Sequence, residues 1–191
     1  MTTLDFGPAT TTLRDLVTSV GDDQLTLPTP CSAYSVGDLV DHVGGLALAF
    51  AGAARKEQVP GSEQGGSGDA TRLEPGWRAR IDGSLADLAE AWRAPAAYDG
   101  DTMAGPVEMS GAEAAAVALN EVVVHGWDLA SALGVPYAVR EEDVAACLAF
   151  VRPFSTPEAA AFRGDAFGEV LPVPVGAPAL VELLALLGRR G

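Results

Sequence analysis

The chain holds only two histidines, His42 and His125, among 191 residues. Each falls on an apolar helical stripe. His42 follows Leu39 by three residues and precedes Leu46 by four, so it shares their face. Glu121 and His125 are four apart and stack on one face with Ala114, Ala118 and Leu129. A glutamate among alanines on a buried stripe is unusual, because burying an unpaired carboxylate is costly. Something positive should meet it, yet no Lys or Arg lies between Arg93 and Arg140. A metal ion is an economical answer. Two imidazoles and a carboxylate suit Zn²⁺, and three protein ligands leave one coordination position open. The same set also suits non-haem Fe(II), so ligand type does not choose the metal. The plainer reading is a core-lining His125 hydrogen-bonded to Glu121 across one turn, with His42 unrelated. Spacing alone does not decide between them.

Asp128 lies three residues after His125 and seven after Glu121, again on the same face. Metal-bound histidines usually pass their other ring N–H to a carboxylate or carbonyl. Asp128 is therefore expected to orient His42 from the neighbouring helix; a surface or loop-capping carboxylate is the alternative. Cys31 sits in a Pro-flanked loop, where a nucleophile competes with a small packing residue. No histidine or lysine neighbours it in sequence to lower its pKa, which favours packing. Cys147 lies on an apolar stripe and belongs to the core. Asp38 and Asp41 point off the His42 stripe and are expected to be solvated. No phosphate-binding GxxxxGK[ST] loop, G-x-S-x-G elbow or C-x-x-C pair is present.

These residues must be held by helices. Leu13, Leu16, Val17 and Val20 follow the helical period before Gly21. Ser35 and Asp38 form a capping box with Asp in place of Glu, ahead of a stripe running from Leu39 to Phe50. Trp77, Ile81, Leu85, Leu88 and Trp92 mark a third helix. Ser110 and Glu113 cap a fourth, which runs toward Gly134. Residues 59–76 read as a Gly- and Ser-rich flexible loop, and 95–106 as irregular or briefly extended. Arg140 to Arg152 predicts a fifth helix. FGEVLPVPVG reads as extended, although Pro172 and Pro174 exclude a central strand. A short last helix carries Leu180, Leu183, Leu184 and Leu187. The expectation is a mainly all-α fold: a helix bundle over 1–135, with a helical and extended appendix over 136–191 packed on it.

Composition narrows the function classes. Twelve basic and 26 acidic residues leave a net charge of −14. That charge repels nucleic acid and anionic lipid, so neither is an expected partner. The longest uncharged, mostly apolar stretch, Val43 to Ala54, is twelve residues against the ~20 a membrane span needs. Two cysteines do not make a disulfide framework. A single lysine, isoleucine and asparagine (Lys56, Ile81, Asn120) fit GC-rich codon usage. The expectation is a soluble, cytoplasmic, reduced protein, with a homodimer among the assemblies allowed.

Two stretches resemble a known family. Thr29-Pro-Cys-Ser-Ala-Tyr-Ser-Val-Gly-Asp-Leu-Val-Asp-His42-Val-Gly is similar to the N-terminal signature of the mycothiol-dependent maleylpyruvate isomerase-like proteins. Asn120-Glu-Val-Val-Val-His125-Gly-Trp-Asp-Leu-Ala looks like their second signature. The tail, from Phe167 through Pro172-Val-Pro to Arg189, is similar to that of an actinobacterial subfamily of metal-binding proteins. The resemblance implies a DinB-like four-helix bundle, with a metal, usually zinc, on His42, Glu121 and His125. It also implies mycothiol as thiol co-substrate and a small-molecule electrophile, in a transferase or isomerase reaction. The isomerase itself carries a larger C-terminal domain where this chain has a short, different tail. The alternative is a non-catalytic metal-binding or metal-sensing bundle.

Overall fold

The computed structural model describes residues 3–60, 66–163 and 168–190. About 60% of it is helical, in six helices. Helix α1 spans Gly7–Ser19, α2 Val36–Arg55, α3 Trp77–Ala91 and α4 Gly111–Leu133. The shorter α5 and α6 span Glu141–Val151 and Ala179–Leu186.

Both capping boxes form. The Ser35 hydroxyl accepts the Asp38 N–H at 3.3 Å, and the Asp38 carboxylate accepts the Ser35 N–H at 3.0 Å. Ser110 and Glu113 repeat the exchange at the start of α4. Gly134, at φ 68°, closes α4 with its N–H turned back on the Ala130 and Ser131 carbonyls. Helix α2 ends differently. Lys56 takes the left-handed conformation at φ 61°, which is uncommon for a residue with a Cβ. Its ammonium donates to the Ala97 carbonyl at 3.0 Å, tying this turn to the chain before the hairpin.

The packing order differs from the chain order. Helix α1 packs mainly on α3 and α4, and so does α2. Around the bundle the order is therefore α1, α3, α2, α4. The chain neighbours α1 and α2 sit diagonally, as do α3 and α4. This arrangement makes α2 and α4 direct neighbours, so the two histidine-bearing faces can meet. Leu39, Leu85, Leu88, Trp92, Leu119 and Leu129 fill the centre with 2% exposure or less. Helix α2 is long and apolar enough to cross a bilayer by length and composition, but 61% of that window is buried inside the bundle.

Residues 95–106 are more ordered than expected. Pro95–Tyr98 forms a tight 3₁₀ turn. Strands β1 (Asp101–Ala104) and β2 (Val107–Ser110) then pair antiparallel, with Ala104 opposite Val107. Gly105 supplies the positive φ of 59° at the turn. Buried Thr102 donates its hydroxyl to the Ala53 carbonyl at 2.7 Å and fastens the hairpin to the end of α2. After α4, α5 packs on α4 and α6 on α5. The expected extended segment pairs with no strand among the described residues. Its Leu171 N–H instead donates to the Ala185 carbonyl at 2.9 Å, so the segment folds back on α6.

Leu183 of α6 is fully buried. Leu183→Ala should cost about 2–4 kcal/mol. Urea unfolding should show one transition at a lower midpoint. A separate early transition would show that 136–191 unfolds independently of the bundle.

Candidate metal centre

The facing sides of α2 and α4 bring His42, Glu121 and His125 together. The Glu121 Oε2 lies 3.0 Å from His125 Nε2 and 3.7 Å from His42 Nε2. The two imidazoles meet edge to face, with centroids 5.0 Å apart at 84°. One donor atom from each residue lies within 4.8 Å of the other two. A tetrahedral ion about 2.1 Å from each donor spaces the donors about 3.4 Å apart, and the two carboxylate distances bracket that value. The residue set fits a divalent ion in both chemistry and spacing.

The outward ring nitrogens are held as well. His42 Nδ1 meets the Gly66 carbonyl. A carbonyl only accepts, so Nδ1 is the donor and the lone pair of the neutral ring is on Nε2. His125 Nδ1 lies 3.0 Å from Asp128 Oδ2, one turn along its own helix. The expectation that Asp128 would orient His42 is thus corrected. Its side chain runs along α4 to its own helix's histidine, and a backbone carbonyl holds His42. The surface alternative fails too, since Asp128 is fully buried. Its charge is met by Arg189, whose Nη2 and Nε reach the carboxylate at 3.1 and 3.3 Å from 61 residues away. The Arg189 side chain is only 10% exposed.

Gly66 belongs to a segment that reads as a slack loop in the sequence. Residues 61–65 of that expected loop lie outside the described residues. The part that follows is fastened across α2. The Asp69 N–H donates to Asp41 at 3.0 Å and the Ala70 N–H to Asp38 at 2.8 Å. Arg72 pairs with Asp41 at 2.6 Å. Gly68 lies so close to the Asp38 carbonyl that no Cβ would fit. Asp38 and Asp41 therefore anchor a strap over His42, rather than facing solvent alone.

Burial opposes the ionised form of Glu121, but the hydrogen bond from His125, with the His42 ring beside it, prevails and holds the carboxyl below the usual range. Burial also opposes the imidazolium of His125, yet hydrogen bonds to Asp128 and Glu121 raise its pKa to about 9. Glu121 keeps 24% of its side chain exposed and faces a cavity of about 270 Å³. Cys31, Tyr34, Phe50, Asn120 and Arg189 border the same space. The Cys31 thiol, half-buried, is pushed up in pKa by burial, with Arg189 opposing. It therefore borders the site as a thiol, without the lowered pKa of a nucleophile. Burial pushes the Cys147 thiol up to about 12, as its core position implies. A wider groove of about 520 Å³ shares His42, Leu46 and Phe50 with the cavity. Sequence reasoning missed Arg189, the Gly66 carbonyl and the strap. Of these, only the rarity of basic residues around α4 was a signal, since it leaves Asp128 needing a distant cation.

The chain matches the family model described as the mycothiol maleylpyruvate isomerase N-terminal domain, over residues 6–130. It is 33% identical over 187 residues to an uncharacterized protein of Mycobacterium tuberculosis, found in two strains, covering 91% of this chain and 90% of the relative. Two crystal structures of mycothiol-dependent maleylpyruvate isomerase, one of a mutant, superpose with TM-scores of 0.59 and 0.57. They share 16% identity and cover 87% of this chain and 71% of theirs, which shows a common fold.

Arg189→Met should leave the Asp128 carboxylate buried without its cation and destabilise the protein by about 3–5 kcal/mol in urea. Arg189→Lys should recover only part of the loss, because an ammonium cannot reproduce the forked contact. An Arg189→Met protein as stable as wild type would show that the pair contributes nothing.

Proposed function

This chain belongs to the mycothiol maleylpyruvate isomerase N-terminal domain family, and on that premise we propose that it is a metal- and thiol-dependent transferase or isomerase. His42, Glu121 and His125 would hold a divalent ion, zinc being the one the family resemblance implies. The observation that carries the reading is the pair of anchored imidazoles. Each has its Nδ1 engaged, by the Gly66 carbonyl or by Asp128, and each has its Nε2 directed to the Glu121 carboxylate. A mere packing role for these rings requires neither the shared carboxylate nor the two outer acceptors. When bound, the ion would supply Lewis acidity and favour the deprotonated form of a coordinated thiol.

The chain's own residues supply the rest. Glu121 offsets cationic charge and stays open to the cavity. Gly66 and Asp128 fix the ring orientations, and Arg189 pairs with Asp128. Leu46, Phe50 and Val117 wall the cavity and limit water around a thiol. The groove that shares His42, Leu46 and Phe50 with the cavity offers an approach for a small electrophile. A low-molecular-weight thiol of the mycothiol type is the co-substrate implied by the family. Both cysteines are free, which suits a reducing cytoplasm.

The test begins with metal content after purification without a histidine tag, where about one equivalent is expected. Glu121→Gln should lose that metal. It should also lower metal-free stability by about 1–3 kcal/mol, because the carboxylate is already paired with His125. Chelator should lower the wild-type unfolding midpoint and leave that of Glu121→Gln unchanged. Mycothiol-dependent conversion of maleylpyruvate, or conjugation of 1-chloro-2,4-dinitrobenzene, then reads out the enzyme. A chelator-insensitive wild type beside a destabilised Gln variant would defeat the metal reading. A metal-loaded protein inert with every thiol would instead favour a non-catalytic metal-binding bundle.

A further inference from the structure

The cavity beside the three candidate ligands is bordered by a buried polar side chain with nothing to bond. Asn120 is 2% exposed and lines this space from α4. Its Oδ1 has no hydrogen-bond partner; among the described residues the other such side-chain atom is Nε1 of Trp92. Trp92 is fully buried in the core against Phe6 and does not line the cavity. Buried polar groups are nearly always bonded, so an unbonded amide on the wall of a cavity needs an explanation. Nothing local demands an amide there. Of the other α4 residues bordering the cavity, Glu121 and His125 are the candidate ligands and Val117 and Val124 are apolar, and Asn120 is the chain's single asparagine. Charge at the site is already matched, Glu121 by His125 and Asp128 by Arg189.

We infer that Asn120 anchors the organic part of the ligand, which carries a hydroxyl or amide group close to the sulfur that reaches the metal centre. The inference rests on the metal- and thiol-dependent reading above. A half-turn of the side-chain amide exchanges its oxygen and nitrogen, so Asn120 can accept from or donate to such a group. Glu121 is the next residue, which puts the anchor beside the ligand-bearing face. Arg189 meets Asp128, which lies eight residues further along α4, about 12 Å along the axis. The ligand class is thus a low-molecular-weight thiol with an uncharged polar group near its sulfur, rather than a plain alkyl thiol.

The experiment uses the zinc-loaded full chain and two probes of equal length, 3-mercapto-1-propanol and 1-butanethiol, followed by calorimetry. Wild type should bind the hydroxyl thiol about tenfold more tightly than the alkyl thiol. Asn120→Leu should lose that preference, and its metal-free form should unfold at a higher urea midpoint than wild type. No preference in wild type, or a preference kept in Asn120→Leu, overturns the inference while leaving the metal and thiol reading standing. If neither thiol binds, that reading falls and this inference falls with it. Where the thiols bind, a lower urea midpoint for Asn120→Leu makes Asn120 a structural residue and overturns its role as an anchor; a higher one supports it. Should Asn120→Leu fail to fold, Asn120→Ala and the wild-type preference provide the same decision.

Discussion

An ionised carboxylate persists inside a helical bundle only where positive charge or hydrogen-bond donors meet it. One face of α4 carries two, Glu121 and Asp128, with His125 between them. Much of the architecture around the site follows from that burden. Helix α2 lies against α4 and brings His42 to the far side of Glu121. The chain returns from α6 to deliver Arg189 to Asp128. The strap after residue 65 passes over α2 and gives His42 the Gly66 carbonyl. Each element looks peripheral alone, and each satisfies a polar group that the α4 face would otherwise leave unmet.

What was legible in the sequence is what periodicity and capping encode. A 3.6-residue repeat placed His42, Glu121 and His125 on inward faces, and two Ser-led capping boxes fixed the starts of α2 and α4. The direction of the Asp128 side chain was not legible. Residues three apart on a helix and residues on facing helices are equally compatible with the spacing, and only the packed rings decide. Arg189 was hidden for a different reason. It lies 61 residues from its partner, beyond a proline-rich segment that follows no periodic rule. A carbonyl such as that of Gly66 leaves no mark at all, because every residue carries one.

The strap shows how composition misleads. Gly, Ser and Asp in 66–72 read as slack, because a flexible linker and a close-packed strap use the same small residues. The deciding partners sit elsewhere, in Asp38 and Asp41 on α2. Their positions off the apolar stripe suggested solvent, whereas they receive backbone N–H groups from the strap. Asp38 also completes the Ser35 cap, so one carboxylate starts a helix with one oxygen and holds a crossing segment with the other. The hairpin was missed similarly. Four-residue strands are too short for alternation to register, and the buried Thr102 bond to α2 is invisible before the chain is folded.

The order of helices around the bundle has a kinetic consequence. In an up-and-down bundle each helix packs on the one before it, so local hairpins form early and the chain closes few long loops. Here, among the first four helices, only α2 and α3 are neighbours both in the chain and in space. Helix α1 finds its partners only across the intervening α2, and α4 must meet α1 and α2 past the whole of α3. More of the closure is long-range, which raises contact order and slows folding relative to an up-and-down bundle of the same length. The α2 and α4 faces that make the site come together in one of those long-range encounters, so a nascent chain assembles this cluster only once α4 has reached α2 past the whole of α3.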